Sequence, residues 1–306
     1  MIICASRRTD IPAFHSEWVM NRLRAGYVMV RNPVCRNVVY RVKLDRENVD
    51  LITFMTKNPK PIIPFLDEII DMGIRCSFQI TVNPYGKDIE PGVPEKSSIT
   101  ESFRTLSDRI GKENVVWRYD PVILNSRYDV RYHSRKFHTI CNELRGYVDT
   151  CTFGFVDIHK KLEGLSEKGM IRHTSSEEIH QIASSFSDTA AASGIRLNCC
   201  CAREDLSVYG ISYDGCIGKN MMRSMNIPFE MAVPLRDRCT CVKTVDIGHY
   251  DTCYHDCAYC YANRTDNRIR ETRSYDVSAE MLYGIVGKDD DIVDIGSRKA
   301  SRIDDF

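Results

Sequence analysis

The chain reads as an α/β protein built on parallel strands, and three observations carry that expectation. Over roughly the first 200 residues, short β-rich runs alternate with amphipathic stretches. Those stretches close on glycine, at Gly26, Gly73, Gly111, Gly146 and Gly194. Nearly every β-rich run also ends in polar or charged residues, as expected of a barrel whose strands converge their C-terminal ends on one face. At 306 residues the chain is long enough for one such barrel or for two average domains.

In chain order, Ile2 to Ser6 predicts the first strand. A helix through Phe14, Trp18 and Leu23 follows and stops at Gly26. Tyr27–Val30 and Val38–Leu44 flank Asn32-Pro33, which predicts a hairpin inserted over residues 27–44. Leu51–Thr56 is the next strand, with a helix through Phe65, Ile69 and Ile70 behind it. Cys76–Val82 is another strand, and Ser98 with Glu101 predicts a capping box for a helix carrying Phe103, Leu106 and Ile110. Strands are expected at Val115–Tyr119, Cys151–Ile158 and Ile195–Cys199. Between them lie a helix through Phe137, Ile140, Cys141 and Leu144, and one opened by Ser175 and Glu178 through Ile179, Ile182 and Phe186. Periodicity then fades over residues 202–241, a run Val242–Ile247 is β-like, and one helix is expected around Val277–Ile285 before a charged, frayed tail. The organisation predicted is thus 1–201 for the barrel, 202–241 for a cysteine-containing segment and 242–306 for a last strand, a cysteine loop and the tail.

Forty-two basic residues balance forty-two acidic ones, so no global field draws the chain to nucleic acid or an anionic membrane. The first residues show no charged-then-apolar leader, no apolar run reaches spanning length, and a cytoplasmic protein is expected. Neither G-x-G-x-x-G nor a P-loop occurs. Nine of the fourteen cysteines fall between Cys199 and Cys260, an uneven use that points to metal binding rather than a disulfide framework.

The densest motif is Cys253-x3-Cys257-x2-Cys260, with Tyr259 before the last cysteine. A four-iron cluster takes one thiolate per iron, so three thiolates leave one iron open for another ligand. Upstream, Cys199, Cys200, Cys201, Cys216, Cys239 and Cys241 supply a second set. Cys201, Cys216, Cys239 and Cys241 are the four selected for an auxiliary iron-sulfur cluster or a structural zinc. Arg7, Arg8, Thr9, Asp10, Lys57, Arg118 and Asp120 sit at apolar strand ends, where a charge needs a partner or a ligand.

The loop resembles that of the radical S-adenosylmethionine superfamily, C-x3-C-x-aromatic-C, matched by Cys253, Cys257, Tyr259 and Cys260. The resemblance implies a [4Fe-4S] cluster whose open iron binds S-adenosylmethionine, with Tyr259 near the adenine. It implies reductive cleavage to a 5'-deoxyadenosyl radical, hydrogen abstraction from substrate, and an electron donor such as flavodoxin or ferredoxin. It also implies a partial (βα)6 TIM-like barrel, here circularly permuted, since the motif normally follows the first strand and here follows the last. Ser6, Arg7, Arg8, Thr9 and Asp10 would take the place of the superfamily's glycine-rich segment, with one of the two arginines on the carboxylate of S-adenosylmethionine. Lys57, Arg118 and Asp120 would face the reacting groups. Most of the chain also resembles the uncharacterised family called domain of unknown function 1848, through Ser6–Pro12, Thr56–Pro59, Trp117–Pro121 and Asp246–Cys253 onward to Asn263. The substrate, whether small molecule, peptide or nucleic acid, is left open. The competing expectation is a zinc-stabilised Cys/His binding module, with His249 and His255 as ligands, Asp251 and Asp256 behind them, and Arg22, Arg24, Arg31, Arg36 and Arg41 as a phosphate-facing patch.

Overall fold

The computed structural model describes residues 1–234, 237–263 and 276–296. Seven strands form one sheet: β1 (Ile2–Ala5), β4 (Leu51–Thr56), β5 (Cys76–Thr81), β6 (Val115–Val122), β7 (Thr150–Phe155), β8 (Arg196–Cys199) and β9 (Val245–Asp246). Their order is β8-β7-β6-β5-β4-β1-β9, and every pairing is parallel. A parallel sheet covered by helices is buried on both faces, which is why these strands read as continuous apolar runs rather than alternations.

Among the described residues, eight α-helices accompany the strands: α1 (Ile11–Phe14), α2 (Ser16–Ala25), α3 (Leu66–Asp71), α4 (Lys96–Ile110), α5 (Val130–Leu144), α6 (Glu163–Glu167), α7 (Ser176–Ala192) and α8 (Lys219–Ser224). The apolar stripes of α4, α5 and α7 share one core with Ile3, Phe54, Phe78, Trp117 and Phe153 of the sheet. Phe137 stacks between Trp117 and Phe186 at ring-centroid distances of 4.7 and 3.9 Å. Full burial of each such ring contributes roughly 1.5–3 kcal/mol.

The capping box at Ser175 and Glu178 is formed as expected. The one expected at Ser98 and Glu101 is not: α4 begins at Lys96 behind Glu95, and the Ser98 amide is already bonded to the Glu95 carbonyl. The expected helix at 277–285 is likewise replaced by turns. Its carbonyls are taken from outside, Val277 by Asn21 Nδ2, Ser278 by Arg22 Nη2 and Ala279 by Trp18 Nε1, each at 2.9 Å. Carbonyls committed to α2 side chains are not available to a helical ladder.

The hairpin forms as β2 (Tyr27–Arg31) and β3 (Val38–Lys43). Where a frayed tail was expected, β10 (Asp291–Ile295) adds in parallel to β3. Arg31 clamps Asp290 at the entrance of β10 with two bonds of 2.7 Å. Residues 297–306 of the expected tail lie outside the described residues. The cysteine-containing segment packs Ile217, Met222, Met225, Ile227 and Val242 on Ile2, Cys4 and Leu51. Among the described residues no helix is long and apolar enough to cross a membrane.

Candidate metal centre and its surroundings

The three-cysteine loop leaves the C-terminal end of β9. Its ends are closed by the Asp251 amide on the Ala262 carbonyl at 3.0 Å, and the Cys260 amide bonds the Cys257 carbonyl at 2.9 Å. A second segment holds it from the side: the Ala258 amide bonds the Ile89 carbonyl, and the Gly92 amide bonds the His255 carbonyl, each at 2.9 Å. Gly92 admits no side chain there, since a Cβ would stand 2.3 Å from the Tyr254 carbonyl oxygen.

Burial pushes the Cys253 thiol well up, with Asp10 and the neighbouring Cys260 and Cys257 adding to it. Burial also lifts Cys257 to about 12, against the pull of the Lys57 ammonium. Thiols so crowded and desolvated hold negative charge only when a cation is bound among them. No disulfide joins any of the fourteen cysteines. Among the described residues no group of three His, Cys, Asp or Glu side chains stands at ready metal-binding spacing. The fit therefore rests on donor type and surroundings: three soft thiols on one closed loop suit iron-sulfur ligation.

Tyr259 points inward to a residue that sequence reasoning missed. Glu90 is 1% exposed and accepts from Tyr259 Oη at 2.5 Å, Lys57 Nζ at 2.9 Å, Lys96 Nζ at 2.6 Å and Asn83 Nδ2 at 3.2 Å. Burial opposes its charge, but the two ammoniums and the tyrosine hydroxyl outweigh it and hold the carboxyl at about 2. Glu90 lies in a loop between β5 and α4, where no periodicity marks it. The only signal was a carboxylate placed just before Pro91-Gly92.

Asp10 plays the same part on the other side. Its Oδ2 accepts from the Lys57 amide at 2.7 Å and from His255 Nε2 at 2.8 Å, and its Oδ1 caps α1 at the Ala13 amide. His255 is 2% exposed. Thr9 is buried beside it, with its hydroxyl oxygen unpartnered. Asp246 of β9 receives Ser6 Oγ at 2.6 Å and the Arg7 amide at 2.8 Å, tying the first strand end to the last. The two arginines diverge. Arg7 donates to Thr244 Oγ1 at 2.8 Å and has Cys216 and Cys241 among its electrostatic neighbours. Arg8 reaches the Gly248 carbonyl at 3.2 Å and lies over the Tyr250 ring, beside the cysteine loop.

Arg118 and Asp120 pair with each other at the end of β6, and the Asp120 carbonyl accepts from Asn83 at 3.0 Å. Asp120 also approaches the position next to Gly154 at the end of β7. Asp157 pairs with Arg203, whereas His159 and Lys160 are exposed; Lys161, not singled out, donates to the Cys260 carbonyl at 2.5 Å. Of the second cysteine set, Cys216 meets Cys241 and Cys201 meets Cys200, while Cys239 bonds no other thiol among the described residues. The arginines considered for a phosphate patch are mostly engaged within the fold: Arg24 with Glu68, Arg31 with Asp290, Arg41 with Asp294, and Arg22 with the Ser278 carbonyl. His249 bonds the Tyr250 carbonyl at 2.7 Å, and Asp256 accepts from Asn263 at 3.5 Å.

A family model described as "Domain of unknown function (DUF1848)" matches residues 2–262. The chain belongs to that family. Neither the curated proteins nor the solved structures compared with it yield a match.

Proposed function

We propose that this family member is a radical S-adenosylmethionine enzyme with a second metal centre in its cysteine-rich segment. The observation that carries the reading is the position of the three-cysteine loop, at the C-terminal end of β9 and beside the polar ends of β1, β4 and β5. Cys253, Cys257 and Cys260 would hold a [4Fe-4S] cluster, which supplies the electron that cleaves S-adenosylmethionine to a 5'-deoxyadenosyl radical. A flavodoxin- or ferredoxin-like donor would provide that electron.

The fold reading is a partial barrel, circularly permuted. Supporting it, β9 taken as the first strand makes spatial order follow chain order throughout, as β9-β1-β4-β5-β6-β7-β8. Each strand then lies beside its successor, as parallel connections favour.

The chain's own residues have separable tasks. Glu90 and Asn83 hold the Tyr259 hydroxyl and so fix the aromatic of the motif. Asp10 holds His255 and, through its amide, Lys57, which keeps the loop seated on β4. Arg8 is the arginine assigned to the carboxylate of S-adenosylmethionine, because Arg7 is turned toward the second cysteine set. Arg118 and Asp120 remain for substrate, as a paired cation and carboxylate at the end of a central strand.

The test is anaerobic reconstitution with iron and sulfide, then reduction with dithionite in the presence of S-adenosylmethionine. 5'-Deoxyadenosine is expected above the level of a Cys253→Ala, Cys257→Ala, Cys260→Ala variant. Equal amounts from both proteins would overturn the reading.

A further inference from the structure

The end of β8 and the segment after it bring four cysteines together. Cys200 follows β8 directly, anchored by its amide on the Phe153 carbonyl at 2.9 Å. Asn198 of β8 reaches across to Asp214, receiving its amide at 2.6 Å and donating to its carbonyl at 2.9 Å. That contact delivers Cys216 to the end of β8. The Val242 amide on the Ile217 carbonyl at 2.9 Å then lays Cys241 beside Cys216. Gly215 is needed for the approach, since a Cβ would stand 2.5 Å from the Cys241 Cα.

The sulfurs meet at distances that identify their use. Cys216 Sγ lies 3.4 Å from Cys241 Sγ, and Cys200 Sγ lies 3.7 Å from Cys201 Sγ. Cys200 and Cys216 are electrostatic neighbours, which links the two pairs. A metal with four thiolates at about 2.3 Å in a tetrahedron spaces its sulfurs by about 3.8 Å, whereas a disulfide requires about 2.05 Å. A cubane cluster would place each thiolate on a different iron and hold the sulfurs further apart. Each of the two pairs is spaced more like neighbours on a single ion than like thiolates on separate irons of a cubane, and bound metal would have to draw the two pairs together.

Two cations, the buried Arg118 and the half-buried Arg7, have these thiols among their electrostatic neighbours. Arg118 is 8% exposed, has Cys216 and Cys200 among its electrostatic neighbours, and its Nη1 has no hydrogen-bond partner. Arg7 approaches Cys216 and Cys241, and its Nη2 is likewise buried and unpartnered. A divalent ion with four thiolates carries a net charge of about −2, which two guanidiniums neutralise. Their spare N–H groups are donors suited to thiolate sulfur, as outer partners of a metal site commonly are.

We propose that Cys200, Cys201, Cys216 and Cys241 bind one thiophilic divalent ion, zinc in the first place, and that Arg7 and Arg118 neutralise the site and donate hydrogen bonds to its sulfurs. Cys239 is not a ligand. The site closes the cysteine-rich segment onto the end of the sheet, a structural role. It is independent of radical chemistry and refines the second centre named above to a mononuclear one.

The experiment uses the full chain, purified anaerobically, with zinc, iron and sulfide measured per chain. About one zinc is expected in the wild type and in the Cys253→Ala, Cys257→Ala, Cys260→Ala variant, so loss of the radical site leaves this result readable. Cys239→Ser is expected to retain the ion; Cys216→Ser and Cys241→Ser are expected to lose it. Because those last variants can fail to fold, cobalt loaded into the wild-type chain provides a second measurement. Intense thiolate-to-cobalt bands with tetrahedral d–d absorption support the four-thiolate site, and octahedral absorption refutes it. Four irons with four sulfides surviving in the triple variant, loss of the ion in Cys239→Ser, a Cys216–Cys241 disulfide in the anaerobic protein, or no bound metal would each overturn the proposal.

Discussion

Replacing Glu90 by Gln tests whether the buried carboxylate is the pin between the cysteine loop and the strand ends. The substitution keeps the shape and removes the charge, leaving Lys57 and Lys96 facing a neutral amide. Breaking a buried ion pair from one side costs about 3–5 kcal/mol. Here the Lys57 and Lys96 side chains keep 15% and 29% of their exposure, so water offsets part of the loss. The expected cost is therefore the lower end, about 3 kcal/mol. With an unfolding entropy of about 2.1 cal/mol/K per residue, that lowers the melting temperature by about 5 °C for a chain of 306 residues. The assay is anaerobic thermal unfolding, with Glu68→Gln as the surface comparison, since its pair with Arg24 is exposed and screened by solvent. Iron retained after reconstitution is measured alongside, because Tyr259 loses its charged acceptor. If Glu90→Gln melts within about 1 °C of the wild type and keeps its iron, the pin as described does not exist.

Three further outcomes are expected. Arg8→Lys should weaken S-adenosylmethionine binding by about 10- to 100-fold through loss of a bidentate, charge-assisted contact, while Arg7→Lys should affect it far less; equilibrium dialysis of the reconstituted protein would reverse the assignment if the two ranked the other way. Gly248→Ala places a Cβ 2.1 Å from Ser6 Oγ, so the Ser6 to Asp246 bond must break, at a cost of about 1–3 kcal/mol in chemical denaturation; an unchanged midpoint would contradict the close approach. His133 is fully buried between Tyr119 Oη and the Ile123 carbonyl, and burial lowers its pKa from 6.5 to about 4. The unfolded chain then takes up the proton first as pH falls, so stability should decline from pH 6.5 and level off below about 4, losing about 3 kcal/mol. Burial lowers His15 to about 4 as well, so it adds to the same decline; denaturant titrations at several pH values should show a shallower slope in His133→Phe than in the wild type, and an unchanged slope would refute the assignment.

Most strands and long helices of residues 1–201 could be read because they are written in local hydrophobic periodicity, and the glycine stops are local as well; α6 was not read, and one expected helix is divided into α1 and α2. The readings that failed were local rules overridden at a distance. Ser98 and Glu101 have capping-box spacing, yet α4 starts earlier, at Lys96. Residues 277–285 have helical spacing, yet α2 side chains claim their carbonyls. Lys57 and Asp10 were noticed because charges at apolar strand ends need partners, but nothing in the sequence matched them to Glu90 and His255. They are contacts across 33 and 245 residues of chain.

The sequence by itself thus determined the α/β class, the place of most strands along the chain and the three-cysteine loop, since spacing within a few residues decides which side chains one turn or one strand can present. Only the tertiary structure decided that β9 lies against β1, that Arg7 and Arg8 have different partners, and that Cys216 meets Cys241 while Cys200 meets Cys201. Those outcomes depend on which strand edge a distant segment occupies and on how buried charge is balanced once it arrives. Neither quantity is a property of neighbours along the chain.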